Sequence, residues 1–192
     1  MKYFSSITFS ILVAVSASHG QEKLLNSAHY KQAISSLANN KHPSTLLQSK
    51  LIAYIFLSPE CPLSAYYIPL LNELHTNSKE AMVVGIVPGK SYSKQEVLNF
   101  VDKDKIKFPV YIDNKKKLVA VLGAAITPEA IVVSKGKHIV YKGAIDDKVE
   151  NLGEKKVLSK HAYLENALTE ISNNRTITIT ETKAVGCYIN DI

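Results

Sequence analysis

Apolar positions along this chain fall into two spacings. From Leu51 to Leu57 the run Leu-Ile-Ala-Tyr-Ile-Phe-Leu is unbroken and Ser58-Pro59 closes it, which predicts a strand buried on both faces. Ala81 to Val87, closed by Pro88-Gly89, repeats the pattern. Phe108 to Ile112 is a third strand, whose Pro109 restricts it to an edge or to the strand's first positions. Ala130 to Val133 and His138 to Tyr141 flank Ser134-Lys135-Gly136-Lys137, a hairpin with glycine in the turn. Between these runs the spacing changes to that of helices. Tyr66, Tyr67, Leu70, Leu71 and Leu74 mark one in the segment Ala65 to Leu74, and Val97, Leu98 and Val101 mark another, capped by Ser91 or Ser93 and running through Asp102. Lys116 to Leu122 forms a short one stopped by Gly123, and Tyr163, Leu164, Leu168 and Ile171 form a last one from about Ser159 to Ile171. Strands alternating with helices, then a hairpin and a helix, define an α/β chain: a mixed sheet with helices on both faces.

The flanks read differently. Met1-Lys2, an uncharged apolar stretch from Ile7 to Ala17 and small residues up to Gly20 have the form of a secretory signal peptide, too short to span a bilayer. This predicts an exported protein, periplasmic or secreted, with no stable membrane anchor. Residues 21–50 are polar, with Leu24, Leu25, Tyr30, Ile34 and Leu37 spaced for a short helix that ends near Asn39-Asn40 and before Pro43. The main domain is then 51–172. A tail follows at 173–192, in which Arg175 to Thr180 alternates β-branched residues like a short edge strand.

Composition sets limits on function. The chain has 192 residues, 46% hydrophobic and 21% charged, which suits one globular domain with a full core. A net charge of +6 comes from scattered lysines and a single arginine, Arg175, so it reads as a solvated surface and not as a nucleic-acid face. The six histidines have no ligand spacing and the two cysteines form no paired motif, so no metal site and no cofactor are predicted.

The chemistry converges on Cys61, at a strand-to-helix junction. The first N–H groups of a helix lack internal partners and the peptide dipoles add there to partial positive charge, so a cysteine in that place is biased toward thiolate. Pro62 suits the first turn, and Ser64 lies one turn on, where its hydroxyl would reach the sulfur. If the fold brings Glu60, Glu129, Asp146 and Asp147 to the same end of the sheet, these carboxylates either raise the thiol pKa or form a solvated rim. Of Tyr66 and Tyr67, one is expected in the core and the other beside a groove. The second cysteine, Cys187, is the other half of a candidate disulfide in an exported protein.

Cys61-Pro62-Leu63-Ser64 with Pro69, Leu71 and Glu73-Leu74 resembles the active-site helix of thioredoxins, with serine in place of the second cysteine. Thr127-Pro128-Glu129 before the penultimate strand stands where thioredoxins carry a cis-proline. Phe108-Pro109-Val110, Leu122-Gly123-Ala124, Gly143 to Asp147 and Val185-Gly186-Cys187 resemble redoxin-domain proteins of the alkyl hydroperoxide reductase and thiol-specific antioxidant group. The resemblance, over about residues 51–172, implies a thioredoxin-like fold and thiol–disulfide exchange. In that reading Cys61 is the nucleophile, Ser64 stabilises its anion, and Thr127 and Pro128 position an extended substrate. The implied partners are a protein or small-molecule disulfide and an electron donor whose identity is open.

Because Ser64 cannot resolve a mixed disulfide at Cys61, Cys187 is the internal candidate for that step. From Ile171 to Cys187 an extended chain reaches roughly 50 Å, enough to cross the domain. A non-catalytic binding module with a structural Cys61–Cys187 bond is the alternative, worth about 5 kcal/mol in the chain-entropy model. A thiol peroxidase is the third reading. It fits less well, because Tyr54 stands where peroxiredoxins have proline and Arg175 lies in the tail.

Overall fold

The computed structural model describes residues 23–37, 43–78, 80–135, 137–151, 154–155 and 159–189. The expected signal peptide, the helix end at Asn39-Asn40 and the turn glycine Gly136 lie outside them. In chain order the elements are β1 (Lys23–Leu24), α1 (Ser27–Ser35), a 3₁₀ turn (Pro43–Gln48), β2 (Leu51–Phe56), α2 (Pro62–Asn77), β3 (Ala81–Pro88), α3 (Lys94–Lys103) and β4 (Val110–Asp113). They continue with α4 (Lys117–Leu122), β5 (Ile126–Thr127), β6 (Glu129–Ser134), β7 (His138–Gly143), β8 (Val149–Asn151), β9 (Glu154–Lys155), α5 (Tyr163–Ser172) and β10 (Cys187–Tyr188).

Six strands form the main sheet in the order β1-β7-β6-β2-β3-β4. β2, β3 and β4 run parallel, β6 pairs antiparallel with β2, and β7 pairs antiparallel with β6. The unbroken apolar runs follow from this placement, because a central strand packs on both faces. In β2 the alternation is plain. Leu51, Ala53 and Ile55 join one core with the buried faces of α2, α3 and α5, while Ile52, Tyr54 and Phe56 join the other with α1 and α4. This is a thioredoxin-like α/β fold, with helices on both faces of a mixed sheet.

The helix that carries the site is held by its packing. Pro69 lies inside α2, where a missing N–H and ring crowding cost about 3 kcal/mol. Leu63, Ile68, Leu71 and Leu74 of the same helix are buried, each worth about 1.5–3 kcal/mol. Burial wins, and α2 continues past the proline to Asn77. In β3, Gly85 admits its neighbours: a Cβ there would sit 3.0 Å from Val110 Cγ2 and 3.2 Å from Leu57 Cδ1.

Several local expectations resolve or shift. Ser93, not Ser91, caps α3, in a capping box with Glu96. β4 starts one residue beyond Pro109, whose carbonyl accepts from the Gly85 amide at 2.8 Å. The last helix begins at Tyr163 and not Ser159, because Asp147 Oδ1 accepts from Ser159 Oγ, Lys160 N and His161 N at 2.8, 2.8 and 3.0 Å and wraps that segment around its carboxylate. The expected edge strand over Arg175 to Thr180 is replaced by a single parallel bridge between Lys142 and Glu181. Thr178 is diverted by Glu170, which accepts from its amide and its hydroxyl at 2.8 and 2.6 Å.

Candidate active site

Cys61 is the N-cap residue of α2, with extended backbone at φ −82° and ψ 114°, and Pro62 opens the helix. β2 leads straight into this junction, and the Cys61 amide donates to Ser58 O at 3.1 Å. The thiol is 2% exposed and donates to Thr127 O at 3.1 Å. Thr127 precedes a cis peptide to Pro128, between β5 and β6. Three sequence candidates, Cys61, Thr127 and Pro128, are thus brought together although 66 residues separate the sulfur from its carbonyl partner.

The tail brings the fourth. Lys142 N donates to Thr180 O at 2.9 Å and Thr182 N to Lys142 O at 3.0 Å, so the tail runs beside the end of β7. The Thr182 hydroxyl ties the same place by accepting from Ala144 N at 2.9 Å and pairing with Tyr141 Oη at 2.8 Å. From there the chain crosses to β5, where β10 pairs antiparallel with it in the register Cys187 to Thr127 and Tyr188 to Ile126. Thr127 Oγ1 donates to Cys187 O at 3.3 Å, and Ile189 N donates to Ala125 O at 2.9 Å. The Cys187 sulfur lies 2.8 Å from the Cys61 sulfur, and both cysteines are free thiols.

The two thiols are unequal. Burial pushes the Cys61 pKa up, but hydrogen bonds from the Cys187 thiol and from the Ser64, Leu63 and Cys187 amides outweigh it, and the net shift is below the usual cysteine value of 9.0. Cys187 is pushed up to about 11 by burial, by its hydrogen bond to Cys61 and by the charge of the Cys61 thiolate. The expected rise from carboxylates is not among the causes of the Cys61 shift, which is downward, and each of the four has a partner of its own. Glu60 accepts from Tyr92 Oη at 3.2 Å, Glu129 from Ala125 N at 2.9 Å, and Asp146 from Tyr67 Oη at 2.6 Å, while Asp147 holds the start of α5.

Ser64 serves the sulfur by a different atom from the one expected. Its hydroxyl accepts from Ser58 N at 3.0 Å and makes no bond to Cys61, while its backbone N–H faces the thiolate. Of the paired tyrosines, Tyr67 is in the core and Tyr66 is 36% exposed. Arg175 is exposed beyond α5, outside the cavity beside Cys61. That cavity, about 260 Å³, is walled by Ser58, Glu60, Tyr92, Lys116, Tyr188 and Ile189 as well as by the two cysteines. Tyr92, which pairs with Ser58 Oγ at 2.9 Å, and Lys116 are residues that sequence reasoning missed. Neither belongs to a motif, and only the loops after β3 and β4 bring them to the site.

A thiol at a helix start, beside a carbonyl next to a cis-proline, is the arrangement expected of a thioredoxin-fold redoxin. The AhpC/TSA family model matches residues 36–142, more than half of the chain, and the chain belongs to that family. Thiol-disulfide oxidoreductase ResA of Bacillus thuringiensis (strain Al Hakam) is 29% identical over 94 residues, 49% of this chain and 54% of the relative. ResA of Bacillus anthracis matches to the same extent, so the match spans about half the length of these curated relatives. Among solved structures, a hypothetical protein of Sinorhizobium meliloti shares the fold at TM-score 0.68 and 21% identity, covering 96% of this chain and 95% of that one. An uncharacterized conserved protein of Geobacillus kaustophilus gives TM-score 0.61 at 20% identity, covering 73% and 77%.

Proposed function

We propose that this chain is an exported thiol–disulfide oxidoreductase in which Cys61 attacks and Cys187 resolves. The observation that carries the reading is the pair of free sulfurs 2.8 Å apart, one acidified and the other held protonated. The Cys61 thiolate attacks one sulfur of a substrate disulfide, forming a Cys61–substrate bond and expelling the other sulfur as thiolate. Cys187 then loses its proton and attacks Cys61 Sγ, which releases the second substrate thiolate and leaves a Cys61–Cys187 disulfide. An external dithiol restores the starting state.

The order of events follows from the charges. While Cys61 is a thiolate, its charge and its hydrogen bond hold the Cys187 proton in place. Once Cys61 is tied in a mixed disulfide both influences vanish, and Cys187 ionises more readily at the moment when resolution needs it. Thr127 and Pro128 would position the substrate backbone, and the Ser64 amide would steady the sulfur anion.

In a Cys187→Ser variant a disulfide substrate should accumulate as a stable adduct on Cys61, visible by intact mass, while the unmodified chain releases it. An adduct that turns over equally fast in both would remove Cys187 from the cycle. A second reading, a locked binding module, is favoured by the 2% exposure of Cys61 under a docked tail. The reduction potential of the pair separates the two, because a value below about −300 mV marks a structural bond and a higher one an exchanging bond.

A further inference from the structure

Residues 185–189 lie on the Thr127 edge in the manner of a bound peptide: antiparallel, with a cysteine opposite Thr127 and its sulfur against Cys61. Their fit differs from one position to the next. An ideal Cβ on Gly186 would fall 2.1 Å from Thr127 O and 2.7 Å from Thr127 C, and these backbone atoms belong to the strand that the tail pairs with. Only glycine lets the two backbones approach so closely before the cysteine. One residue after the cysteine the constraint disappears, since Tyr188 is 79% exposed. At the next position it returns, because Ile189 is 7% exposed and belongs to the core cluster that contains Leu118, Leu122 and Ala124.

Resting on the proposed function above, we infer that the Ile126–Thr127 edge is a peptide seat reading the pattern glycine, cysteine, any residue, aliphatic residue, and that the tail occupies it as a tethered competitor. A substrate segment of that pattern displaces residues 185–189, offers its own sulfur to Cys61, and leaves Cys187 free to return and resolve. Polypeptides with a side chain before the cysteine are disfavoured by a clash with the Thr127 carbonyl.

The test uses the full-length Cys187→Ser protein and the peptide Val-Gly-Cys-Tyr-Ile, its cysteine capped as a mixed disulfide with thionitrobenzoate. Cys61 Sγ⁻ attacks the peptide sulfur, the Cys61–peptide bond forms, the peptide–thionitrobenzoate bond breaks, and one coloured thionitrobenzoate anion leaves per bond formed. Replacing the peptide glycine by alanine should slow the reaction by about tenfold or more, the factor that a 1.4 kcal/mol clash produces. Serine for the isoleucine should slow it by about threefold to tenfold through lost apolar burial, and serine for the tyrosine should change nothing. Adding Gly186→Ala to the protein should undock its own tail and accelerate capture of the glycine peptide by about tenfold, the inverse of the same clash. Equal rates for the glycine and alanine peptides would overturn the seat whether or not the Gly186→Ala protein folds, and no acceleration in a folded Gly186→Ala protein would overturn the competitor role. The mixed disulfide of 2-mercaptoethanol with thionitrobenzoate serves as a control: its failure to react with Cys61 would sink the oxidoreductase reading itself, whereas normal reaction with flat peptide rates would sink the seat alone.

Discussion

The two sulfurs meet at 2.8 Å but are held there by very different structures. Cys61 caps a helix from Pro62 to Asn77 whose Leu63, Tyr67, Ile68, Leu71 and Leu74 are buried against the central sheet. Cys187 belongs to a two-residue strand at the end of a tail tied by hydrogen bonds around Lys142 and Thr182, by the short pairing with β5, by the buried Ala184 and Ile189 with the partly buried Ile177 and Val185, and by one close backbone approach at Gly186. Extensive burial fixes a group at the level of global unfolding, whereas a few polar contacts at a margin open locally at much smaller cost. The Cys61 sulfur is therefore the more rigidly held of the two, and in the proposed cycle Cys187 rides on a detachable strap. A two-thiol cycle needs this division, because the substrate must enter between them.

The contrast can be broken most severely at Cys61. Cys61→Ser should reduce disulfide exchange to the uncatalysed background in an insulin-reduction turbidity assay, and measurable exchange through Cys187 alone would reverse the assigned roles. Next in size, Leu71→Ala should lower global stability by about 3 kcal/mol, since it empties a fully buried position beneath the active-site helix. Its urea midpoint should fall with no selective loosening of the tail. Thr182→Val keeps the shape but deletes the bonds to Ala144 N and Tyr141 Oη, a loss of about 1–2 kcal/mol. Amide exchange should then quicken at 185–189 before it changes in α2. A global effect larger than that of Leu71→Ala would mean that the tail is part of the core.

The smallest effect concerns protons. The folded Cys61 pKa lies below its ordinary value, so its reaction rate with a small disulfide should rise with pH through a midpoint below 9.0 and then level off. In Cys187→Ala one of the hydrogen bonds that favour the thiolate is gone, so that midpoint should move upward, as followed by thiolate absorbance. A downward movement would mean that Cys187 acts on Cys61 mainly by burying it.

Much of the fold was legible in the sequence because its signals are local. The apolar runs of β2 and β3 mark strands packed on two faces, and Cys61-Pro62 marks a helix start whatever surrounds it. Contacts made at a distance were read less well. The alternation of Arg175 to Thr180 suggested a strand, but Glu170 competes for Thr178 and the tail pairs at Cys187–Tyr188 instead. Ser159 has the chemistry of a helix cap, yet Asp147 claims its hydroxyl and the helix starts at Tyr163. Likewise Ser64 was placed on the right turn, but its hydroxyl serves Ser58 and only its amide serves the sulfur.

The chain by itself therefore determined the main strands and helices in their order and the helix start that presents Cys61, since these depend on spacing along a few neighbouring residues. Only the tertiary structure decided which way the tail runs, that glycine brings it onto the Thr127 backbone, and that two cysteines 126 positions apart close into a pair of touching sulfurs. Such closure is set by which hydrogen-bonding and apolar partners win in three dimensions, and that competition leaves no periodic mark in a linear sequence.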